Sequence, residues 1–292
     1  MAFTQNRSRP RFPASLLVLG SVLSIQFGQA FGKDMFSLVG SAAGVAFLRL
    51  AFAAAILLVI WRPRLPQDRA SWLLTIGFGT AIAGMNLIYP AMQYLPLGMA
   101  TSLQLLGPLC LALATSLRKV DFLWSILAIG GVALFYLPRG TEFSLPGLLF
   151  ALASGLAMAL YLLLSKRSGG ACGDGSFLAL AVTWAALLYM PAGLTQSGFE
   201  FLSAEVAAVG LALAVLSAVV PYSLDQAALR RLPPRLVGVL ESLEPVVAGI
   251  AGVIVLQEYL QPLQWLAIAC ISLASLGAIS SEAGRKGSGA TD

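Results

Sequence analysis

Ten apolar runs of about twenty residues each follow one another along the chain with only short linkers between them. They lie at roughly 13–32, 40–61, 71–92, 97–117, 121–137, 145–165, 175–194, 204–226, 236–256 and 262–281. A helix needs about 20 apolar residues to cross a hydrocarbon core of roughly 30 Å. In lipid only a helix or a closed barrel pairs all its backbone polar groups, and these runs lack the period-two alternation of barrel strands. The expected fold class is an all-α integral membrane protein with ten transmembrane helices. Composition agrees, since 58% of the 292 residues are apolar and 11% charged, against about 25% charged in soluble domains. The first run follows Arg7, Arg9 and Arg11 but is too long for a signal peptide, so it reads as an uncleaved helix.

The basic residues set the topology. Arg7, Arg9, Arg11, Arg62, Arg64, Arg69, Arg118, Lys119, Lys166, Arg167, Arg230, Arg231, Arg235, Arg285 and Lys286, fifteen of the eighteen Lys and Arg, fall at the termini and in alternate linkers. The opposite linkers hold only Lys33 and Arg139, and Arg49 lies inside the second run. The positive-inside rule makes the first set cytoplasmic, together with both termini. A net charge of +5 therefore reflects topology. No nucleic-acid partner is read from it, because no basic run exceeds two residues. The absence of histidine excludes His-ligated metals and the usual side-chain proton relay. Cys110, Cys172 and Cys270 are widely spaced and imply neither a disulfide nor a metal site, and no cofactor is expected.

Five runs followed by five invite a search for self-similarity. A shift of 137 residues lays Leu95-Pro96 on Leu232-Pro233, Gln104 on Glu241, Pro108 on Pro245 and Asp121-Phe122-Leu123 on Glu258-Tyr259-Leu260, without a gap. An odd number of spans per copy forces the second copy to insert inverted, the plan of many secondary transporters. The chain then divides into an N-terminal segment (1–12), two inverted five-helix repeats (13–139 and 140–281) around a central cavity, and a polar, Gly/Ser-rich tail (282–292) expected to be disordered.

With this plan, the segments SIQFGQAFGKDMFSLVG (24–40), FLRLAFAA around Arg49, MNLIYPAMQYLPLGMA (85–100) and VPYSLDQAALRRLPP with LESLEPVVAG (220–249) resemble the EamA-type branch of the drug/metabolite transporter superfamily, in its bacterial threonine/homoserine exporter subgroup. The resemblance covers roughly residues 14–281. It implies a secondary transporter that exports amino acids, threonine/homoserine-like or more broadly neutral and aromatic, across the inner membrane by alternating access, with helices 1–4 and 6–9 around the cavity and 5 and 10 peripheral. One departure is Gln257, where the family usually has glycine before the glutamate matching Glu258.

An amino acid presents a carboxylate, an ammonium and a side chain, so its site needs donors, acceptors and an apolar or aromatic wall. Polar groups within membrane spans usually face the bundle interior or a wet cavity. Candidates are Gln26 and Gln29 beside Ser24 on helix 1, Asn86 and Tyr89 on helix 3, Thr101, Ser102 and Gln104 on helix 4, Ser154 and Tyr161 on helix 6, and Tyr222, Ser223 and Asp225 on helix 8. Hydrogen bonding between helices is the competing role for each Ser and Thr. Arg49 is suited to a carboxylate, or else to pairing with an acid or with helix-end carbonyls. Glu241 and Glu244, three apart on one helix face, stand inside an apolar run. They could hold the substrate ammonium or carry a proton through the cycle. Pro90, Pro108, Pro221 and Pro245 interrupt helices 3, 4, 8 and 9 as kinks or hinges. Gly40 and Gly44 form a packing motif.

No nucleotide-binding loop is present, so ATP is not the direct energy source, and a substrate gradient or proton antiport must drive transport. A channel remains open as an alternative, as does another small metabolite, drug or nucleotide sugar as cargo. An intramembrane enzyme would need histidine or clustered acids, and Asp225 is the one aspartate inside a run.

Overall fold

The computed structural model describes residues 13–114, 119–137, 144–167, 175–198, 203–229, 231–232 and 234–288, with a few side chains undescribed within these ranges. The helices are α1 (Ala14–Asp34), α2 (Ala42–Trp61), α3 (Arg69–Met85 and Ile88–Met92), α4 (Leu97–Ala114), α5 (Lys119–Tyr136), α6 (Leu145–Arg167), α7 (Gly175–Ser197), α8 (Ala204–Ala214, a π-helical turn at Val215–Val219, and Val220–Leu229), α9 (Pro234–Glu241 and Glu244–Leu256) and α10 (Pro262–Ser288). A short helix, Phe36–Val39, links α1 to α2, and no strand occurs among the described residues. Among the described residues nine helices are long and apolar enough to cross a membrane, and the protein is an integral membrane protein. The apolar part of α5, Phe122–Tyr136, is shorter. The polar tail is not wholly irregular: α10 runs on to Ser288, because Glu282, Ala283, Arg285 and Lys286 are good helix formers that extend an existing helix. Arg139 and the side chains of Asp121 and Tyr222 lie outside the described residues.

Local chemistry starts and stops these helices. The Ser41 hydroxyl accepts the Gly44 N–H at 2.9 Å to begin α2, and Ser203 accepts the Val206 N–H at 3.1 Å to begin α8. At α3 the Asp68 carboxylate accepts the Ser71 N–H at 2.8 Å. That bond favours the ionised form and holds the carboxyl below its usual range. The cap is therefore present above the ordinary carboxylate pKa and lost as pH falls through the lowered one. Gly40, at φ 87°, turns the chain into α2, a backbone conformation that glycine adopts without strain.

The helices pack in a consistent pattern. The most extensive interface is α2 on α7, with α5 on α10 next. Helix α4 packs on α6, α9 and α10, α3 on α6 and α7, α1 on α8 and α9, and α2 on α8. Tyr89, Met92, Leu97, Met99 and Leu103 are fully buried at the centre. Facing outward are Val59, Ile60, Leu73, Leu123, Ile129, Leu156 and Ile254, an apolar belt that suits lipid.

Candidate functional site

Two broken helices organise the interior. Proline has no N–H, so carbonyls four and five residues before it lose their usual donors when the helix loosens there. In α8 the π turn sends the Val220 N–H to the Val215 carbonyl. Pro221 then leaves the carbonyls of Leu216 and Ser217 for side chains from elsewhere. The Leu216 carbonyl accepts the Ser24 hydroxyl of α1, and the Ser217 carbonyl accepts Arg49 Nη2 of α2 at 2.6 Å. In α3 the Tyr89 N–H bonds back to Asn86, and Pro90 follows. The Met85 carbonyl is thereby free to accept the Ser154 hydroxyl of α6 at 2.6 Å and Gln104 Nε2 of α4 at 3.3 Å. Met85 and Leu216 each stand five residues before the proline.

Arg49 is the hub between these breaks. Its Nε donates to the Ser217 hydroxyl, Nη1 to Asn86 Oδ1 and Nη2 to the Ser217 carbonyl, each at 2.6 Å. Its guanidinium lies 5.8 Å from the centre of the Tyr89 ring. The acceptors are themselves fixed, since Ser217 donates to the Leu213 carbonyl at 2.6 Å and Asn86 to the Ile82 carbonyl at 2.8 Å. These three acceptors are neutral, and Arg49 pairs with none of the acids among the described residues. Gly28 lets α1 approach this point, because a Cβ there would stand 2.7 Å from that of Ser217. Ser217 is absent from the sequence-based candidates. Its one readable signal is its place four residues before Pro221.

The acids gather at the break in α9. Glu241 ends the first segment and Glu244 begins the second, with Pro245 following at the start of that segment. Glu241, Glu244 and Asp225 of α8 lie close enough to act on one another electrostatically. Asp225 Oδ1 is buried with no hydrogen-bond partner among the described residues. Among the described residues an ion pair forms elsewhere, between Lys33 and Glu258 at 2.6 Å. Pro108, at the position matching Pro245, instead lies inside a continuous α4.

The remaining candidates scatter. Gln26 (1% exposed) and Gln29 (8%) are buried on α1 with their Oε1 atoms unpartnered among the described residues. Gln104 binds Ser154 at 2.6 Å, and Tyr161 stacks obliquely on Phe78. Thr101 and Ser102 return their hydroxyls to the carbonyls of Leu97 and Gly98 in α4. Ser223 is exposed and bonds the Val219 carbonyl. A cavity of about 600 Å³ opens between α2, α3, α6 and α7, lined by Thr80, Pro90, Gln93, Phe150, Leu188 and Tyr189 among others. Of the sequence-based candidates only Pro90 lines it. Tyr189, at its wall, carried no sequence signal beyond an aromatic ring two residues before a proline.

Known proteins share this plan. The model of the EamA-like transporter family matches residues 145–280. Over 276 residues the chain is 40% identical to the threonine/homoserine exporter RhtA of Escherichia coli (strain K12), covering 93% of this chain and 92% of that one. The chain belongs to the EamA-like transporter family. The RhtA of Salmonella typhimurium (strain LT2) is likewise 40% identical with the same coverage. A crystal structure with 17% identity superposes with a TM-score of 0.58, covering 94% of this chain and 98% of that one, which extends the shared fold to a distant sequence. These matches place the chain in a transporter family rather than an enzyme family.

Proposed function

We propose that this EamA-like transporter exports neutral amino acids of the threonine and homoserine kind from the bacterial cytoplasm across the inner membrane. The 40% identity to exporters of that name, spanning nearly the whole of both chains, carries this reading. Export proceeds by alternating access of two inverted five-helix halves, with all ten helices crossing and both termini cytoplasmic. The paired breaks support the inverted repeat. Ser24 of the first helix in one half bonds the broken helix of the other half at Leu216, and Ser154 returns the bond to Met85. Packing is consistent with the same exchange, because α4 on α6 answers α9 on α1 and α3 on α6 answers α8 on α1. The breaks at Pro90 and Pro221 serve as hinges, since carbonyls there bond side chains that can be released without unwinding a regular helix, and the break at Pro245 serves as a third.

The acids of α8 and α9 supply the second element. With no ion pair to a cation among the described residues, Glu241, Glu244 and Asp225 suit a substrate ammonium on entry and a proton in its absence, which couples export to proton antiport. The test is counterflow in proteoliposomes over a panel of amino acids, with and without a pH gradient. We expect saturable exchange of threonine and homoserine, faster with an inward proton gradient. Glu244→Gln should retain counterflow and lose the response to the gradient. A non-saturable flux without counterflow would replace the carrier by a channel, and a gradient response surviving in Glu244→Gln would remove that carboxylate from coupling.

A further inference from the structure

One ion pair, at the end of the bundle where α1 finishes, ties α1 and α4 to the turn between α9 and α10. Lys33 Nζ donates to Glu258 Oε1 at 2.6 Å and to the Leu95 carbonyl at 2.8 Å, while Glu258 Oε2 accepts the Leu97 N–H at 2.9 Å. None of these bonds belongs to a regular helix. Leu97 opens α4, where the first N–H groups have no partner in their own helix, and Leu95 and Glu258 stand outside the helices. All three contacts can therefore part without unwinding a helix. The side chains of Lys33 and Glu258 are only 20% and 12% exposed, so the pair is largely shielded from water while it is made. Gln257 and Tyr259 beside it are exposed, so water is at hand for both charges once it parts.

Beneath this clasp the seam between α4 and α9 is shut by backbone. A Cβ on Gly98 would stand 2.9 Å from the Gly249 Cα, and Leu97 and Ala248 are fully buried. Glycine meets glycine at that crossing, so the two helices can separate there without side chains having to clear one another. The clasp also belongs to one end only. The shift of 137 residues sets Pro234 on Leu97, and proline has no N–H, so the same set of bonds cannot form in full at the opposite end. In the orientation of the export reading, the clasped end faces outward. We infer that Lys33 and Glu258 form a latch that holds the outer end of the cargo path shut between turnovers, and that its release is the step that lets cargo leave. This rests on the alternating-access reading and adds to it the contact that closes one end. Both are positioning residues: they touch no cargo and set how often the outer end opens.

Bridging the pair tests it. In full-length protein with Cys110, Cys172 and Cys270 replaced by alanine, Lys33→Cys and Glu258→Cys are linked by a bis-methanethiosulfonate whose arm fills the gap, and dithiothreitol removes the bridge. Threonine counterflow in proteoliposomes should fall by about tenfold or more when the bridge is in place and recover on reduction. Full exchange by the bridged protein overturns the latch. A second measurement needs no transport. Gln29 lies one turn beneath Lys33 on the same face of α1 and is 8% exposed. In the cysteine-free background, Gln29→Cys therefore reports opening by its rate of reaction with a water-soluble maleimide in detergent. Glu258→Gln should raise that rate by about tenfold, the factor by which losing one charge-assisted bond shifts a two-state equilibrium. Lys33→Arg, which keeps the cation, should leave the rate low. A tie that is structural alone would lower the melting temperature without speeding the labelling, and equal labelling rates with and without Glu258→Gln overturn the latch. If the cysteine-free protein exchanges no amino acid, the export reading falls and the labelling rates still decide the latch.

Discussion

Arg49 shows how one residue's role is settled by atoms that sequence spacing cannot reach. Its polarity within an apolar run was legible, and so was its suitability for a carboxylate. Its partners come from α3 and α8, 37 and 168 positions away, and their convergence is a product of the fold. Pro221 was legible as a break, but its specific effect is to free the carbonyls of Leu216 and Ser217. Replacing Pro221 by alanine restores an N–H four residues after Ser217, which then competes with Arg49 for that carbonyl. Alanine is favoured over proline in a helix by about 3 kcal/mol, while a lost hydrogen bond to a charged group costs about 1.5–3 kcal/mol. These nearly offset, so Pro221→Ala should melt at or above the wild-type temperature in a thermal-shift assay. Exchange of threonine should slow by about tenfold, because a helix in regular register holds α8 in one shape. A lowered melting temperature with full transport would make the break a matter of stability alone.

At the scale of elements, the turn between α9 and α10 joins two helices, α1 and α4. Glu258 accepts Lys33 Nζ from the end of α1 at 2.6 Å and the Leu97 N–H at the start of α4 at 2.9 Å, while Lys33 also donates to the Leu95 carbonyl at 2.8 Å. A carboxylate at a helix N-terminus also meets the positive end of the α4 dipole. Glycine at position 252 makes room for it, since a Cβ there would collide with the Glu258 carboxylate. The shift of 137 residues matches Glu258 to Asp121, whose side chain lies outside the described residues, so the ties to α1 and α4 are seen for the second half alone. The departure at Gln257 has a physical reading. Its backbone is left-handed, with φ at 55° and ψ at 30°. A non-glycine residue there is strained by about 1–2 kcal/mol, which glycine escapes. Gln257→Gly should therefore raise stability by about 1 kcal/mol, after its greater unfolded-state freedom is deducted, and leave transport unchanged. Thermal unfolding of the two proteins in the same detergent measures it, and a lower melting point for the variant would mean that the Gln257 side chain's bond to the Ile254 carbonyl outweighs the strain.

Across the whole molecule, the apolar runs made the helical architecture legible, and the basic linkers made its orientation a definite expectation. The half-to-half asymmetry was legible only as letters. Gly107 stands where the second copy has Glu244, and in the structure α4 and α6 meet there backbone to backbone, with a Cβ at Gly107 colliding with the Gly155 carbonyl. A carboxylate has no room at that crossing, so the charge belongs to one half. The cavity at Tyr189 was not legible, because four helices from both halves form it. The number of crossings turns on α5, whose apolar part of 15 residues spans about 22 Å, short of a hydrocarbon core of roughly 30 Å. Exposed Gln67 and Gln257 bracket seven helices, α3 to α9. If all seven cross, the two positions lie on opposite sides, and if α5 does not, they lie on the same side. Single cysteines at these sites, in a protein with Cys110, Cys172 and Cys270 replaced by alanine, report the parity. A membrane-impermeant maleimide should label Gln257→Cys on intact cells, and Gln67→Cys only after permeabilisation. Labelling of both from outside, or of neither, would leave α5 out of the span count, and the reverse pattern would invert the orientation expected from the basic linkers.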